Sequence, residues 1–118
     1  MSNERRSETR INEKTTVFVE ACSASFDNSS PAKIILCNSL DMSANGILVQ
    51  MDQSVEIGTI LRICAEFGEE REPLYLVGEA KWIQPQDNYY NVGFELYDAE
   101  NTDIVSWKRV IASMLDAE

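Results

Sequence analysis

From Thr16 onward the chain repeats one pattern: short runs rich in β-branched, aromatic and aliphatic residues, broken by turn-forming clusters. The runs fall at 16–22, 33–40, 46–51, 60–67, 74–83 and 90–96. Between them stand a Ser-rich loop at 23–32, the turn chemistry of 41–46, Gly58, the charged stretch 68–73 and the turn 85–88. Each run predicts a strand. Gly78, inside the fifth run, predicts a bulge or bend.

The period then changes. Ile104, Trp107, Ile111, Met114 and Leu115 recur at helical spacing and predict an amphipathic helix over 102–116. Asn101 or Thr102 suits its N-cap, with Asp103 in the first turn, and Trp107 belongs to its core-facing stripe. Residues 1–13 carry no sustained apolar period and read as an extended arm. Six short strands followed by a helix suggest an antiparallel barrel or sandwich with the helix across one opening. There is no internal repeat and no low-complexity segment.

With 118 residues, one domain is expected. No apolar run approaches the roughly 18 residues of a membrane span. The polar N-terminus has no secretory core, so a cytoplasmic location is expected. Cys22, Cys37 and Cys64 are far apart and odd in number, and read as buried strand thiols. The chain has no histidine and no cysteine pair, so no metal site is expected.

The formal charge of −10 argues against DNA or RNA as partner. Its distribution matters more. Residues 1–14 hold Arg5, Arg6, Arg10 and Lys14 against three glutamates, net +1, and the remainder carries −11. An acidic body with an arginine-bearing arm suits one small anion at a focused point.

Without histidine the usual general base and proton shuttle are missing, and no carboxylate pair stands out by spacing, so no enzyme is expected. Two segments remain. Asp41-x-Ser43-x-x-Gly46 is ordinary turn chemistry by residue type. It also suits a guanine: the carboxylate can accept from two neighbouring N–H donors, the hydroxyl can donate or accept, and glycine admits the close approach of backbone. Arg6-Ser-Glu-Thr-Arg10, preceded by Arg5, would be a solvated tail if it stood alone. Arginine's planar fork nevertheless meets phosphates, pairs with guanine O6 and N7, and stacks on bases.

R-x-x-x-R at Arg6 and Arg10, followed after 30 residues by D-x-S-x-x-G at Asp41, Ser43 and Gly46, resembles the PilZ domain signature. The segments 77–83 and 90–96 resemble that family's closing strands, so the likeness covers about residues 5–98. It implies an all-β fold, a six-stranded antiparallel split barrel with a C-terminal helix: arm 1–13, barrel 14–98, helix 99–118. It further implies a non-catalytic receptor for the bacterial second messenger cyclic di-GMP, with no cofactor. Arg6 and Arg10 would wrap phosphates and guanine edges, Asp41 and Ser43 would contact a guanine, and Gly46 would let backbone approach. Arg5 leans toward an intercalated ligand dimer.

Asn45 stands where relatives often carry a second glycine, and asparagine tolerates positive φ. Trp82 is read two ways, as an aromatic beside the ligand or as a half-buried strand residue. The expected protein is a monomer that passes its response to an unidentified partner in motility, biofilm or exopolysaccharide pathways. The competing reading is a ligand-independent adaptor with the same barrel, as in type IV pilus assembly.

Overall fold

A computed structural model describes residues 15–21, 33–68 and 71–116. Six strands and one helix follow in order: β1 (Thr16–Ala21), β2 (Lys33–Ser43), β3 (Gly46–Met51), β4 (Ile60–Glu66), β5 (Leu74–Pro85), β6 (Tyr90–Leu96) and α1 (Ile104–Asp116). The strands close an antiparallel barrel in the order β1-β2-β3-β6-β5-β4. Closure removes the exposed edges that an open sheet must protect.

The core follows from period-two alternation. Val17 and Val19 of β1, Ile35 and Cys37 of β2, Leu61, Ile63 and Ala65 of β4, and Leu76 and Ala80 of β5 point inward. Ser39 joins them as a buried polar residue whose needs are met locally. Its hydroxyl accepts from the Thr15 N–H at 2.7 Å, and its own N–H donates to the Thr15 carbonyl at 2.9 Å.

β2 and β5 are the long strands and serve both sides of the barrel. Each carries one bulge, where two residues face a single residue of the neighbouring strand. In β2 the register steps from Ser39↔Val49 to Asp41↔Leu48, leaving Leu40 as the extra residue. In β5 it steps from Ala80↔Phe94 to Trp82↔Gly93, with Lys81 extra. Uninterrupted alternation would send Asp41 and Trp82 into the core. The bulges put Met42 inside instead and turn Asp41 and Trp82 to the outer wall.

Several expectations change accordingly. The predicted turn at 41–46 shrinks to Ala44-Asn45, because β2 runs on to Ser43. Asn45 needs no positive φ; the left-handed residues described are Asn101, Gly58 and Gly68. Gly78 keeps regular register with Leu61 and Leu96. A Cβ there would stand 2.9 Å from Ile63 Cδ1, so its role is close packing, and the bulge lies three residues further on.

α1 begins at Ile104, two residues later than expected. Asp103 therefore precedes the helix: its carbonyl accepts the first helical bond, from the Trp107 N–H at 2.8 Å. Its N–H donates to the Tyr75 carbonyl, and its carboxylate accepts from the Tyr75 N–H at 2.8 Å, which ties the helix start to β5. Ile104, Trp107 and Ile111 are buried and join the barrel core, with Met114 and Leu115 packed beside them. No helix among the described residues is long and apolar enough to cross a membrane.

Candidate ligand-binding site

The two bulges build one row across four strands. Asp41 pairs with Leu48, Leu48 with Gly93, and Gly93 with Trp82. The neighbouring row runs Ser43, Gly46, Glu95, Glu79. Seven of these eight residues, all but Glu79, line a cleft of about 230 Å³ on the outer wall, together with Asn45 and Lys81.

Asp41, Ser43, Asn45, Gly46 and Trp82 are thus brought together in that cleft. Arg5, Arg6 and Arg10 lie outside the described residues, so their placement is not part of this geometry. The same holds for Cys22. Cys37 is buried as expected, but Cys64 is only partly covered and faces outward from β4, contrary to the expectation of three buried thiols.

The turn at the cleft's edge is braced from three sides. The indole N–H of Trp107 donates to the Ser43 carbonyl at 2.9 Å across 64 residues of sequence. The Asn45 carbonyl accepts from the Leu96 N–H at 2.9 Å. Gly46 lies under β6, where a Cβ would come within 3.1 Å of the Phe94 carbonyl. The Ser43 hydroxyl reaches the Gly46 carbonyl only at 3.5 Å, a weak bond, and the residue itself is buried.

Trp82 forms the opposite wall. Its ring lies against Gly93, and the residue remains 45% exposed. Lys81 reaches back across the neighbouring row, with its ammonium 3.8 Å from Glu79 and 3.5 Å from Glu95. The Tyr97 hydroxyl donates to Glu79 and fixes that carboxylate. This bond raises the Tyr97 pKa, helped by desolvation and by the Glu79 and Glu95 charges.

Sequence reasoning missed Lys81, Gly93 and Glu95 as lining residues. A signal was present: the inward series Ile35, Cys37, Ser39 resumes at Met42, and the series Leu76, Gly78, Ala80 resumes at Ile83. Each slips by one residue, which is how a bulge appears in sequence.

The cleft supplies carboxylate acceptors, a hydroxyl, one exposed aromatic plane and, among the described residues, a single cation. No cluster of described residues could hold a metal ion. The closed barrel thus carries a concave outer surface of mixed polar and aromatic chemistry.

The chain belongs to the PilZ domain family, whose model matches residues 4–115. PilZ domains are binding and adaptor domains. No curated protein sequence matches significantly. Among solved structures, the inhibitor of motility MotI/DgrA of Bacillus subtilis is 18% identical with a TM-score of 0.70, covering 98% of this chain and 54% of that one. The PilZ domain of YcgR from Escherichia coli, solved with c-di-GMP, is 15% identical with a TM-score of 0.69, covering 97% and 94%. YcgR from Escherichia coli in complex with c-di-GMP is 14% identical with a TM-score of 0.72, covering 97% and 47%. The chain therefore spans about half the length of MotI and of YcgR, and nearly all of the isolated YcgR domain. At these identities the likeness establishes the fold.

Proposed function

We propose that this chain is a receptor for cyclic di-GMP and that the ligand seats between the Asp41–Gly46 edge and Trp82. The observation that carries the reading is the row Asp41–Leu48–Gly93–Trp82, whose two ends the bulges turn out of the core to one cleft. The Asp41 carboxylate accepts from guanine N1–H and N2–H₂, the Ser43 hydroxyl bonds a base edge, Gly46 admits the close approach, and Trp82 stacks.

Electrostatics gives the arm its part. Glu95 and Asp41 line the cleft against Lys81, which is already engaged by two carboxylates. An anion with two phosphodiesters needs more positive charge than that. Arg6 and Arg10, with Arg5, supply it by closing on the phosphates and guanine edges, and the liganded arm and rim present a changed surface to a partner protein. Two structural relatives fit this reading, since the YcgR structures contain c-di-GMP and MotI is an inhibitor of motility. The role is that of a regulator in motility, biofilm or exopolysaccharide pathways, without catalysis and without a resident cofactor.

Calorimetry with cyclic di-GMP beside GTP, GMP and cyclic AMP tests the proposal. Saturable heat with cyclic di-GMP alone supports it, and the stoichiometry separates one ligand from an intercalated pair. A folded sample that gives no heat with cyclic di-GMP at high micromolar concentration refutes it and leaves the ligand-independent adaptor.

A further inference from the structure

The ligand cleft occupies β3, β6 and the C-terminal halves of β2 and β5. The opposite outer wall, built from the N-terminal halves of β2 and β5 with β1 and β4, carries a different pattern. One row runs in register Leu36, Phe18, Cys64, Tyr75; the next runs Ile34, Glu20, Arg62, Val77. Outward positions of an antiparallel sheet that faces water are ordinarily polar. Here Leu36 is 63% exposed, Tyr75 60% and Ile34 58%. The unbroken apolar row from Leu36 to Tyr75, with Ile34 beside it, marks a surface that is covered in function.

We propose that this wall is a two-fold contact surface for a second copy of the same chain, in place of the monomer expected from sequence. Two features of the wall select a copy of itself over another occupant. The first is shape. A groove of about 440 Å³ lies over β1, β4 and β5, with Phe18, Cys64 and Val77 along it and Tyr75, Asn101 and Thr102 on one flank. Leu36 projects beside that groove and is not part of its lining. A two-fold contact requires a projection and a socket on the same face, and this wall bears both.

The second feature is charge. Glu20 and Arg62 stand side by side in the apolar field at 3.6 Å, and the Arg62 side chain is 78% exposed. A partner chosen by opposite charge would face a patch of one sign. This wall presents one of each, on neighbouring strands, so a two-fold axis running between β1 and β4 sets the Arg62 of either copy against the Glu20 of the other. The net charge of −10 opposes association over longer range, and salt screens that repulsion more than it weakens a contact made largely of apolar surface.

This inference does not depend on the identity of the ligand, and sedimentation velocity of the full chain tests it without any ligand present. The mass is expected to rise from 13.3 kDa toward twice that value between low micromolar and submillimolar protein, at lower concentration as salt is raised. Leu36→Glu, at an exposed position, should raise the dimer dissociation constant by about tenfold or more. Its thermal melt should match that of the unchanged protein, and Leu36→Ser serves as a milder variant if the melt does not match. Glu20→Arg and Arg62→Glu, each alone, should stay monomeric, whereas an equimolar mixture of the two should dimerise. A wild-type chain that remains monomeric throughout overturns the proposal and leaves the wall to another protein or to residues 22–32. Dimers that persist unchanged in Leu36→Glu, or a mixture no more associated than its components, also overturn it.

Discussion

The indole of Trp82 stands where a side chain of residue 93 would be. A Cβ placed on Gly93 would lie 2.6 Å from Nε1 and 2.9 Å from Cε2 of that ring, well inside contact distance. Gly93 also sits between Leu48 and Trp82 in the cross-strand row, so its lack of a side chain lets the ring lie flat on β6. Gly93→Val should swing the ring off the wall and weaken cyclic di-GMP binding by about tenfold. Trp82 is exposed, so the thermal midpoint should move little. Ligand titration followed by tryptophan fluorescence checks both.

In the proposed complex, Asp41 and the arginines Arg6 and Arg10 serve one ligand. Asp41→Ala removes the acceptor for the guanine donors, and Arg6→Ala or Arg10→Ala removes charge-assisted bonds. Each should cost roughly ten- to a hundredfold in affinity. Binding should also weaken as salt rises, because an exposed guanidinium is screened. Unchanged calorimetric affinity in all three variants would remove the site.

Lys81 spends its charge on Glu79 and Glu95 at the cleft's edge. Lys81→Ala should lower affinity for the anion by roughly three- to tenfold, as expected for one partly exposed charge. Glu95→Gln should have the opposite effect, since it removes a repelling carboxylate and frees the ammonium. If both changes act in the same direction on the dissociation constant, this electrostatic account fails.

Trp107 couples the helix to the site turn through its bond to the Ser43 carbonyl. Trp107→Phe keeps most of the apolar bulk and leaves that carbonyl without this donor, at a cost of about 1–3 kcal/mol. For a domain of this size, each kcal/mol lowers the midpoint by roughly 4–8 °C. Ligand affinity should fall as well, because Ser43 belongs to the cleft. A calorimetric melt paired with a titration distinguishes a loosened turn from a merely destabilised core.

Burial, assisted by the Asp52 carboxylate, pushes the Cys37 thiol from 9.0 up to about 12. In the unfolded chain the thiol ionises near its ordinary value, while the folded barrel keeps it protonated. Stability from this source is complete below pH about 9 and falls between about 9 and 12, by at most about 1.4 kcal/mol per pH unit. Urea denaturation across pH about 9 to 11 should show this slope in the wild type and lose one proton's worth of it in Cys37→Ala.

Much of the architecture could be read from the chain. Six strands and the helix were placed within a few residues, because a half-buried strand and an amphipathic helix each leave a period that depends only on nearby residues. The segment holding Asp41, Ser43 and Gly46, which line one cleft, was visible by residue type. Asp41 was assigned to a turn, however, because a polar residue after an apolar run looks like a loop, whereas it lies within a strand that has bulged. Asp103 suited a first-turn acid in sequence, yet its carboxylate binds the Tyr75 backbone 28 residues away. Cys64 read as a core thiol because nothing local tells the inside of a closed barrel from the outside.

The sequence by itself determined the succession of elements, the charge asymmetry between residues 1–14 and the remainder, and the residue types suited to a guanine and its phosphates. These are properties of composition and short-range order. Only the tertiary structure decided which residues share a surface. Strand register placed Asp41 and Trp82, 41 positions apart, in one row with Gly93, and put Leu36 and Tyr75 at the two ends of another. The physical reason is that a one-residue slip in a strand exchanges its faces, and whether a bulge absorbs that slip depends on the packing of the partner strands.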